Sequence, residues 1–359
     1  MANQSLQQEC RRRAAKKLAA TLLFPDFRFP TALSAEQCTG DDLAELHAAM
    51  VPVGSRVVDL TCGLGIDAFH IARRAENVIA LDLDPTVAAA IGPNAQALGL
   101  KNVKGVNADC TEWLKECPEK FDVAFIDPAR RGNNGRRLFS LHDCKPDVVE
   151  LLPEIQRIAR LVIVKMSPML DIEAILRELP ETARLHVLGT TAECKELVAE
   201  IESGFTGETE IIVQTVGKPA LRFHRSEIAK IERYANEIKP GDTIGEPWPT
   251  VMKAAPWGLL SGLELHPDSH VWLNPGPDFP GKTYRAERIE EFSSSNIKRL
   301  AKERLSASVA VKNLPITAAD LSRRLKSTES STRRLLATTL YPTRRLILLL
   351  NPVSATSIG

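Results

Sequence analysis

The chain has 359 residues, of which 44% are hydrophobic and 25% are charged. These values are ordinary for a folded globular protein, so they exclude a disordered or fibrous chain, and the length predicts two or three domains. The longest aliphatic run, 346–350, is far shorter than the roughly 20 residues that span a membrane, which excludes a membrane-spanning helix. Because the N-terminus also lacks an apolar segment of signal-peptide length, we expect a cytoplasmic protein.

The net charge of +1 conceals an uneven distribution of charge along the chain. Residues 31–280 contain 25 basic and 37 acidic residues, whereas residues 281–359 contain 15 basic and 6 acidic residues. A basic end joined to an acidic middle is typical of a module that binds a polyanion. A solvated helix face would give the same composition, so charge alone leaves both interpretations open.

Cysteine and histidine give no indication of a metal or redox site. The seven cysteines are irregularly spaced and include no Cys-x-x-Cys pair, so we expect reduced thiols. His266 and His270 come nearest to a pair of metal ligands, but Pro267 disfavours the helix that would place both rings on one face. The sequence therefore predicts no metal site.

Helices are predicted first along the chain. Residues 4–24 have a helical pattern, and a capping box at Ser34 and Gln37 predicts a second helix that ends near Met50. Apolar strands then alternate with helical segments. The strands are predicted at 56–60, 77–82, 102–107, 121–127, 161–166 and 184–190. This alternation predicts βαβ units and a Rossmann-like parallel sheet buried on both faces, whose ligands bind beyond the carboxyl ends of the strands.

One dipeptide does not fit this pattern. Gly92-Pro93 is expected to interrupt the helix that follows the second strand, because proline costs roughly 3 kcal/mol inside a helix.

Proline and glycine become frequent after Gly217, which indicates a change of domain. We predict an N-terminal helical segment (1–49), an α/β domain (50–217), a small domain (218–290) and a basic α+β module (291–359). In the last module, SASVAVKN and RRLILLLNP are strand candidates on either side of the helical TAADLSRRLK.

A glycine-rich loop follows the first predicted strand. Residues 63–68 satisfy the G-x-G-x-x-A pattern of dinucleotide sites, although that pattern alone is weak evidence. Asp59 precedes Gly63 by four residues and ends the strand. A carboxylate there would repel a pyrophosphate but attract the ammonium or sulfonium group of S-adenosylmethionine (SAM). The loop therefore favours a zwitterionic cofactor over a nicotinamide dinucleotide.

Three further aspartates fall at strand ends. Asp82 closes the second strand, where a carboxylate can accept hydrogen bonds from both ribose hydroxyls. Asp109 follows the third strand, in a position to accept the amine of an adenine, and Asp127 ends the fourth. Helix capping explains any one of them alone, but four acidic residues on adjacent strands make capping a poor explanation of the set.

These motifs together resemble a known family. Residues 50–190 resemble the class I SAM-dependent methyltransferases, and DLTCGLG with NAQALGL is most similar to their RNA-modifying members. The whole chain resembles a bacterial group of methyltransferases that carry a ferredoxin-like segment, here 218–290, and a THUMP-like domain, here 291–359. The resemblance implies SAM as cofactor, RNA as partner, and the following cofactor-binding residues: Asp59, Thr61, Cys62, Gly63, Gly65, Asp82, Leu83, Asp109, Cys110 and Asp127.

The acceptor side of the expected site departs from that family. Asp127 and Pro128 match the start of the acceptor motif and are the predicted catalytic residues, but Ala129 and Arg130 replace its second proline and aromatic ring. Arg130 and Arg131 begin a basic loop that we predict to bind substrate, with a solvated loop as the alternative. Lys165, at the end of the fifth strand, is a further substrate-binding candidate, although a surface lysine is an equally good explanation.

The residues after Lys165 also restrict the chemistry. Met166 and Ser167 occupy the place where RNA 5-methyluridine enzymes need a nucleophilic cysteine, which disfavours covalent catalysis. We therefore predict direct in-line methyl transfer to an amine or hydroxyl of an RNA nucleotide, in rRNA or tRNA. The alternatives are a methyltransferase of proteins or small molecules, and an RNA-binding protein whose methyltransferase fold is catalytically idle.

Overall fold

The computed structural model describes residues 2–130, 140–231, 233–330 and 332–353. The chain forms two compact units, the first comprising Met1–Thr190 and Cys194–His224, and the second Thr191–Glu193 and Arg225–Gly359. The first unit continues seven residues beyond the predicted boundary at 217, because the strand Leu221–His224 still pairs with its sheet.

The first unit contains eight α-helices and eleven strands in its described residues. The helices are α1 (Ala2–Ala14), α2 (Ala32–Gln37), α3 (Asp41–Met50), α4 (Ile66–Ala72), α5 (Pro85–Ala97), α6 (Cys110–Glu116), α7 (Val148–Ile158) and α8 (Ile172–Glu178). The strands are β1 (Arg56–Asp59), β2 (Asn77–Asp82), β3 (Val103–Asn107), β4 (Phe121–Ile126), β5 (Ala129–Arg130), β6 (Cys144–Lys145), β7 (Ala159–Met166), β8 (Thr182–Gly189), β9 (Cys194–Glu202), β10 (Glu210–Thr215) and β11 (Leu221–His224).

Nine of these strands form one sheet in the order β11-β10-β8-β9-β7-β4-β1-β2-β3. The pairs from β3 to β7 are all parallel, whereas β9 is antiparallel to both β7 and β8. The predicted α/β fold with a mostly parallel sheet is confirmed. Because β1 lies between β2 and β4, the strand order reverses at β1, and this is where such sheets form a ligand-binding crevice.

The sheet is covered by helices because its central strands are apolar on both faces. Val57, Val123 and Phe125 belong to a core cluster with residues of α1, α3, α4 and α5. Val58 and Ala124, one position along each strand, point to the opposite face. Helix α7 packs against β4 and β7. Full burial of such valine and phenylalanine side chains contributes about 1.5–3 kcal/mol each.

The N-terminal helices differ from the prediction. Helix α1 ends at Ala14, and the capping box is formed by Thr31 and Ser34 rather than by Ser34 and Gln37. The Thr31 hydroxyl accepts the Ser34 N–H at 3.0 Å, and the Ser34 hydroxyl accepts the Thr31 N–H at 3.2 Å. The predicted second helix is two helices, α2 and α3, which leaves Thr39 in the connection between them.

The predicted interruption at Gly92-Pro93 is also wrong. Helix α5 continues through Pro93 to Ala97, and Pro93 lies on its solvent-exposed side.

The second unit has helices α9 (Pro249–Ala254), α10 (Ser294–Glu303) and α11 (Ala318–Leu325). Its strands are β12 (Thr243–Pro247), β13 (Leu263–Glu264), β14 (Trp272–Leu273), β15 (Gly281–Glu291), β16 (Ser308–Val311), β17 (Arg334–Leu340) and β18 (Arg344–Pro352). Across the described parts of both units, we find no helix with the length and apolar character needed to cross a membrane.

One seven-stranded sheet, in the order β13-β14-β12-β15-β18-β17-β16, extends through the second unit. The predicted division at residue 290 falls within β15, which pairs with β12 on one side and with β18 on the other. The predicted strand RRLILLLNP is β18. Its side chains alternate between two core clusters, with Leu346 and Leu348 in one and Ile347 and Leu349 in the other, because both faces of the strand are covered.

Candidate active site

The loop after β1 is tied to the neighbouring strands by its backbone. The N–H of Leu60 donates to the Phe125 carbonyl at 2.9 Å, and the N–H of Cys62 donates to the Leu81 carbonyl at 2.8 Å. Gly65 has a φ of +88°, and a Cβ at this position would lie 2.7 Å from Ile91 Cδ1. Glycine is therefore required there by both the backbone conformation and the close packing.

Asp59 is buried beneath this loop with an unsatisfied oxygen. The residue is 1% exposed. Its Oδ1 accepts the Thr61 N–H at 3.2 Å, while the buried Oδ2 has no hydrogen-bond partner among the described residues. Burial, and next the negative charge of Asp67, raise the pKa of Asp59 well above its usual value. A buried acceptor without a partner costs about 1–3 kcal/mol, so this carboxyl group is suited to a cationic ligand.

Asp82 holds the glycine loop from the end of β2. Its Oδ2 accepts the Gly63 N–H at 3.0 Å, and its Oδ1 accepts the Asp84 N–H at 2.8 Å. Burial raises the pKa of Asp82 despite these two hydrogen bonds. Each carboxylate oxygen can accept a second hydrogen bond, so the group can still receive two hydroxyls. Leu83, the next residue, is 70% exposed, so its side chain is accessible to a ligand.

Asp109 and Cys110 lie at the start of α6. Asp109 is its N-cap, with Oδ1 accepting the Thr111 N–H at 2.8 Å and the Thr111 hydroxyl at 2.6 Å. These two hydrogen bonds lower the pKa of Asp109. Cys110 is buried, and burial raises the pKa of its thiol to about 11. The structure thus shows Asp109 in a capping role, at the same edge of the sheet as the other aspartates.

Asp127 connects the glycine-rich loop after β1 to Lys165 on β7. Its backbone N–H donates to Thr61 Oγ1 at 2.7 Å, and its half-exposed side chain accepts a hydrogen bond from Lys165 at Oδ2, also at 2.7 Å. Pro128, the next residue, is buried. Asp127 is therefore held at two points, by its backbone and by one of its carboxylate oxygens.

Lys165 is not the surface lysine considered above, because it is only 5% exposed. Its Nζ donates to Thr39 Oγ1 at 2.7 Å, to Asp67 Oδ2 at 3.2 Å and to Asp127 at 2.7 Å. Burial lowers the pKa of Lys165, but Asp127 and Asp67 outweigh that effect and raise it above the usual lysine value. Lys165 is therefore an ammonium cation.

The network continues from Asp67 to two residues that were not predicted from the sequence, His47 and Glu196. His47 is fully buried in α3, with Nδ1 donating to Asp67 Oδ1 and Nε2 donating to Glu196 Oε1, each at 2.7 Å. Burial lowers the pKa of His47, but Asp67 and Glu196 together raise it to about 9. For Asp67, an acid, burial has the opposite effect and raises the pKa. The charges of Lys165 and His47 outweigh burial and hold the pKa of Asp67 well below its usual value.

The helical spacing of residues around His47 indicates that this side chain is buried. Ala44, His47, Ala48 and Val51 recur at helical spacing, and all four are buried. A histidine within an apolar stripe needs a buried partner, which Asp67 provides.

An open pocket of about 550 Å³ lies beside Asp127. The N-terminal segment contributes one part of its wall, which includes Thr39, and the strand ends contribute the other, which includes Asp127, Lys165 and Glu196. The segment predicted as a separate helical region therefore forms part of the wall of this pocket.

The basic loop after Pro128 is outside what can be described. Arg131 lies among the residues 131–139 that the structure does not describe, and only the backbone of Arg130 is described, paired with Cys144. The predicted substrate contacts of Arg130 and Arg131 remain predictions.

The aspartates at this edge fit the SAM predicted from the sequence. Asp59 offers an unpaired buried oxygen for the ammonium group, and Asp82 offers two oxygens for ribose hydroxyls. Within the described ranges we find no group of three or more His, Cys, Asp or Glu residues arranged to hold a metal ion. His266 and His270 contact Asn313 and Glu264 instead of each other.

Two family matches agree with this architecture. Residues 57–160 match the methyltransferase domain family, and residues 281–352 match the family described as THUMP domain-like. The second match begins ten residues before the boundary predicted at 291. A protein of Porphyromonas gingivalis W83 assigned as a methyltransferase has the same fold, with a TM-score of 0.86 and 27% identity over 96% of this chain and 89% of that chain.

Relatives by sequence carry similar descriptions. An uncharacterized SAM-dependent methyltransferase of Mycobacterium tuberculosis is 30% identical over 255 residues, which are 69% of this chain. The match spans 61% of the length of that relative. Ribosomal RNA large subunit methyltransferase K/L of Shewanella sp. is 35% identical over 102 residues, 28% of this chain and 14% of the relative. The chain thus matches a methyltransferase domain over residues 57–160 and a THUMP-like domain over residues 281–352.

Proposed function

We propose that the protein transfers the methyl group of SAM to a base amine of RNA. The observation that carries the cofactor part of this proposal is the buried Asp59 Oδ2, which has no partner within the part of the chain that the structure describes. It lies beneath a glycine-rich loop at the point where the strand order reverses. A cationic amino group is the ligand that such a carboxylate accommodates best.

When bound, SAM supplies an activated methyl group, so the residues of the chain need mainly to align the acceptor. Alignment of two reactants contributes on the order of 7–11 kcal/mol to a reaction of this kind. Asp127 is the group that orients the acceptor amine, because its position at the pocket is fixed by Thr61 and Lys165. Asp127 then accepts the proton that the amine loses. The Pro128 carbonyl is a second acceptor of a hydrogen bond from the amine.

Three observations support RNA as the substrate. The region from residue 281 onward contains 15 basic and 6 acidic residues, as expected of a part that contacts phosphates. The THUMP-like match covers the same region. Relatives named as RNA methyltransferases each match about 100 residues of this chain, including one from Thermosynechococcus vestitus at 33% identity over 99 residues, 27% of this chain and 22% of the relative.

Calorimetry tests the cofactor part. The full chain should bind SAM, and Asp59→Asn should weaken binding by roughly tenfold or more, since a charge-assisted hydrogen bond contributes about 1.5–3 kcal/mol. Asp26→Asn is the matched control, because it removes the same charge from a side chain that is 84% exposed. Binding that is equally tight in Asp59→Asn and wild type would contradict the assignment.

The RNA part is tested by incubating the full chain with radiolabelled SAM and total RNA from a strain that lacks the gene. We expect label that is removed by nuclease, and nucleoside mass spectrometry then identifies the methylated base. Label that resists nuclease but is sensitive to protease would indicate a protein substrate. SAM binding without any transfer would indicate an idle methyltransferase fold.

A further inference from the structure

Lys165 distributes its hydrogen bonds in a way that leaves none for a substrate. An ammonium group has three N–H donors, and here they are donated to Thr39, Asp67 and Asp127. Three acceptors at 2.7–3.2 Å therefore fix the orientation of the group.

Thr39 closes a ring of hydrogen bonds around this ammonium group. Its hydroxyl accepts from Lys165 and donates to Asp67 Oδ2 at 2.6 Å, while Asp67 also accepts from Lys165. The oxygen that Thr39 presents to Lys165 is thus oriented by Asp67. We refer to Thr39, Asp67 and Lys165 as the Thr39 ring.

Both sides of the ring are anchored in different parts of the first unit. Asp67 accepts a hydrogen bond from His47, and His47 also contacts Glu196 on β9. On the other side, Lys165 donates its third N–H to Asp127, which lies outside the ring. Buried ions tend to be costly compared with apolar side chains of the same size, so stability alone does not account for an ammonium group at this place.

We propose that the Thr39 ring is a positioning device for Asp127, which makes Thr39 and Lys165 positioning residues of the methyl-transfer reaction. This inference rests on the proposed function, in which Asp127 orients the acceptor. The ring occupies Asp127 Oδ2 and leaves Oδ1 for the acceptor amine. It replaces the prediction that Lys165 contacts substrate, and it gives the segment 1–49 a part in the reaction.

Two variants of Thr39 separate this role from a general structural one. Thr39→Val keeps the shape and the charges of the site but removes the hydroxyl, whereas Thr39→Ser keeps the hydroxyl. We expect Thr39→Val to lower kcat about tenfold, with a KM for RNA and a Kd for SAM close to those of wild type, because a displaced acceptor group affects the transition state most. Thr39→Ser should restore kcat to within about twofold of wild type, since the ring is intact. Lys165→Met, which removes the ammonium, should lower kcat further.

A second readout does not depend on activity. The backbone amide of Asp127 donates to Thr61, so its ¹H–¹⁵N signal reports the placement of this residue. We expect the signal to shift in Thr39→Val and to stay in place in Thr39→Ser. If no RNA accepts a methyl group, the proposed function fails, and this signal still decides whether the ring holds Asp127.

Two results would overturn the inference. The first is a wild-type kcat in Thr39→Val. The second, for a protein that methylates none of the RNAs supplied, is an Asp127 amide signal that is the same in Thr39→Val and wild type. If Lys165→Met does not fold, the two Thr39 variants remain sufficient, because they leave every charge in place.

Discussion

The hydroxyl of Thr61 accepts the backbone N–H of Asp127 at 2.7 Å, so the loop that covers Asp59 also fixes the start of the acceptor motif. Thr61 is the second residue after β1, and Asp127 is the first after β4. A single side chain therefore connects the two halves of the candidate site.

Replacement of Thr61 should affect transfer through this hydrogen bond. Thr61→Val leaves the Asp127 N–H without its acceptor, and we expect kcat/KM to fall roughly fivefold, the equivalent of about 1 kcal/mol. Thr61→Ser keeps the hydroxyl and should behave like wild type. Steady-state kinetics of methyl transfer distinguish the two, and equal activity in both variants would show that the bond has no role in the reaction.

At neutral pH, the ligand-free wild-type protein should be less stable than a variant that has no ionisable group at position 59. Because the pKa of Asp59 is raised in the folded state, the unfolded chain loses this proton first, and the folded state is disfavoured as the pH rises above about 4. Asp59→Asn should therefore raise the melting temperature at pH 7, with a difference that diminishes towards pH 4. Thermal unfolding followed by circular dichroism at several pH values measures this difference.

The same carboxyl group should make SAM binding depend on pH. The ammonium group of the ligand pairs with the ionised form of Asp59, so binding releases a proton wherever Asp59 is still protonated. We expect the affinity of wild type for SAM to increase as the pH rises above about 4, the usual carboxylate range. Calorimetry should show no such trend for Asp59→Asn, and a flat profile in wild type would contradict the assignment.

His47 should contribute stability that disappears in mildly alkaline solution. Its pKa is raised from 6.5 to about 9 in the folded state, so its contribution is complete below pH 6.5 and is lost as the pH rises through about 9. The free energy of unfolding of wild type should fall as the pH rises over this range. In His47→Gln it should fall less, because the variant has no histidine to lose its proton. At neutral pH, His47→Gln should be less stable by roughly 3–5 kcal/mol, because it removes one partner of a buried ion pair.

Asn94 should be important for the placement of the N-terminal segment. Its side chain accepts the Arg28 N–H and donates to the Arg28 carbonyl, both at 2.8 Å, and the residue is 1% exposed. Asn94→Ala should lower the free energy of unfolding by roughly 2–4 kcal/mol, since both backbone groups lose their partner. Gln96→Ala, at an exposed position of the same helix, is the control and should change stability by less than about 0.5 kcal/mol.

Local sequence patterns were sufficient to predict the edge of the sheet where Asp59, Asp82 and Asp127 lie. Alternation of short apolar strands with helices fixes which ends of parallel strands face the same way, and residues at those ends follow directly. The order of the strands was not predictable in the same way. Strand β9 returns antiparallel between β7 and β8, and no local pattern specifies that insertion.

The buried network was missed because its members are distant in sequence. His47 and Glu196 are separated by 149 positions, and the sequence pattern places Asp67 only within a glycine-rich loop. Lys165 was identified as a candidate from its place at a strand end, but its partners depend on how helices α3 and α4 pack on the sheet. Tertiary packing, rather than any local propensity, sets those contacts.

The position of β18 affects how the second unit folds during synthesis. It is the last of the described strands in chain order, yet it lies between β15 and β17 near the middle of the sheet. During synthesis, β15 and β17 must wait with unpaired edges until residues 344–352 have left the ribosome, and such edges are prone to aggregation. The methyltransferase unit, whose sheet is complete by residue 224, can fold well before then. A pause in translation late in the message would therefore expose the THUMP-like part of the chain, and not its neighbour, to chaperones and proteases.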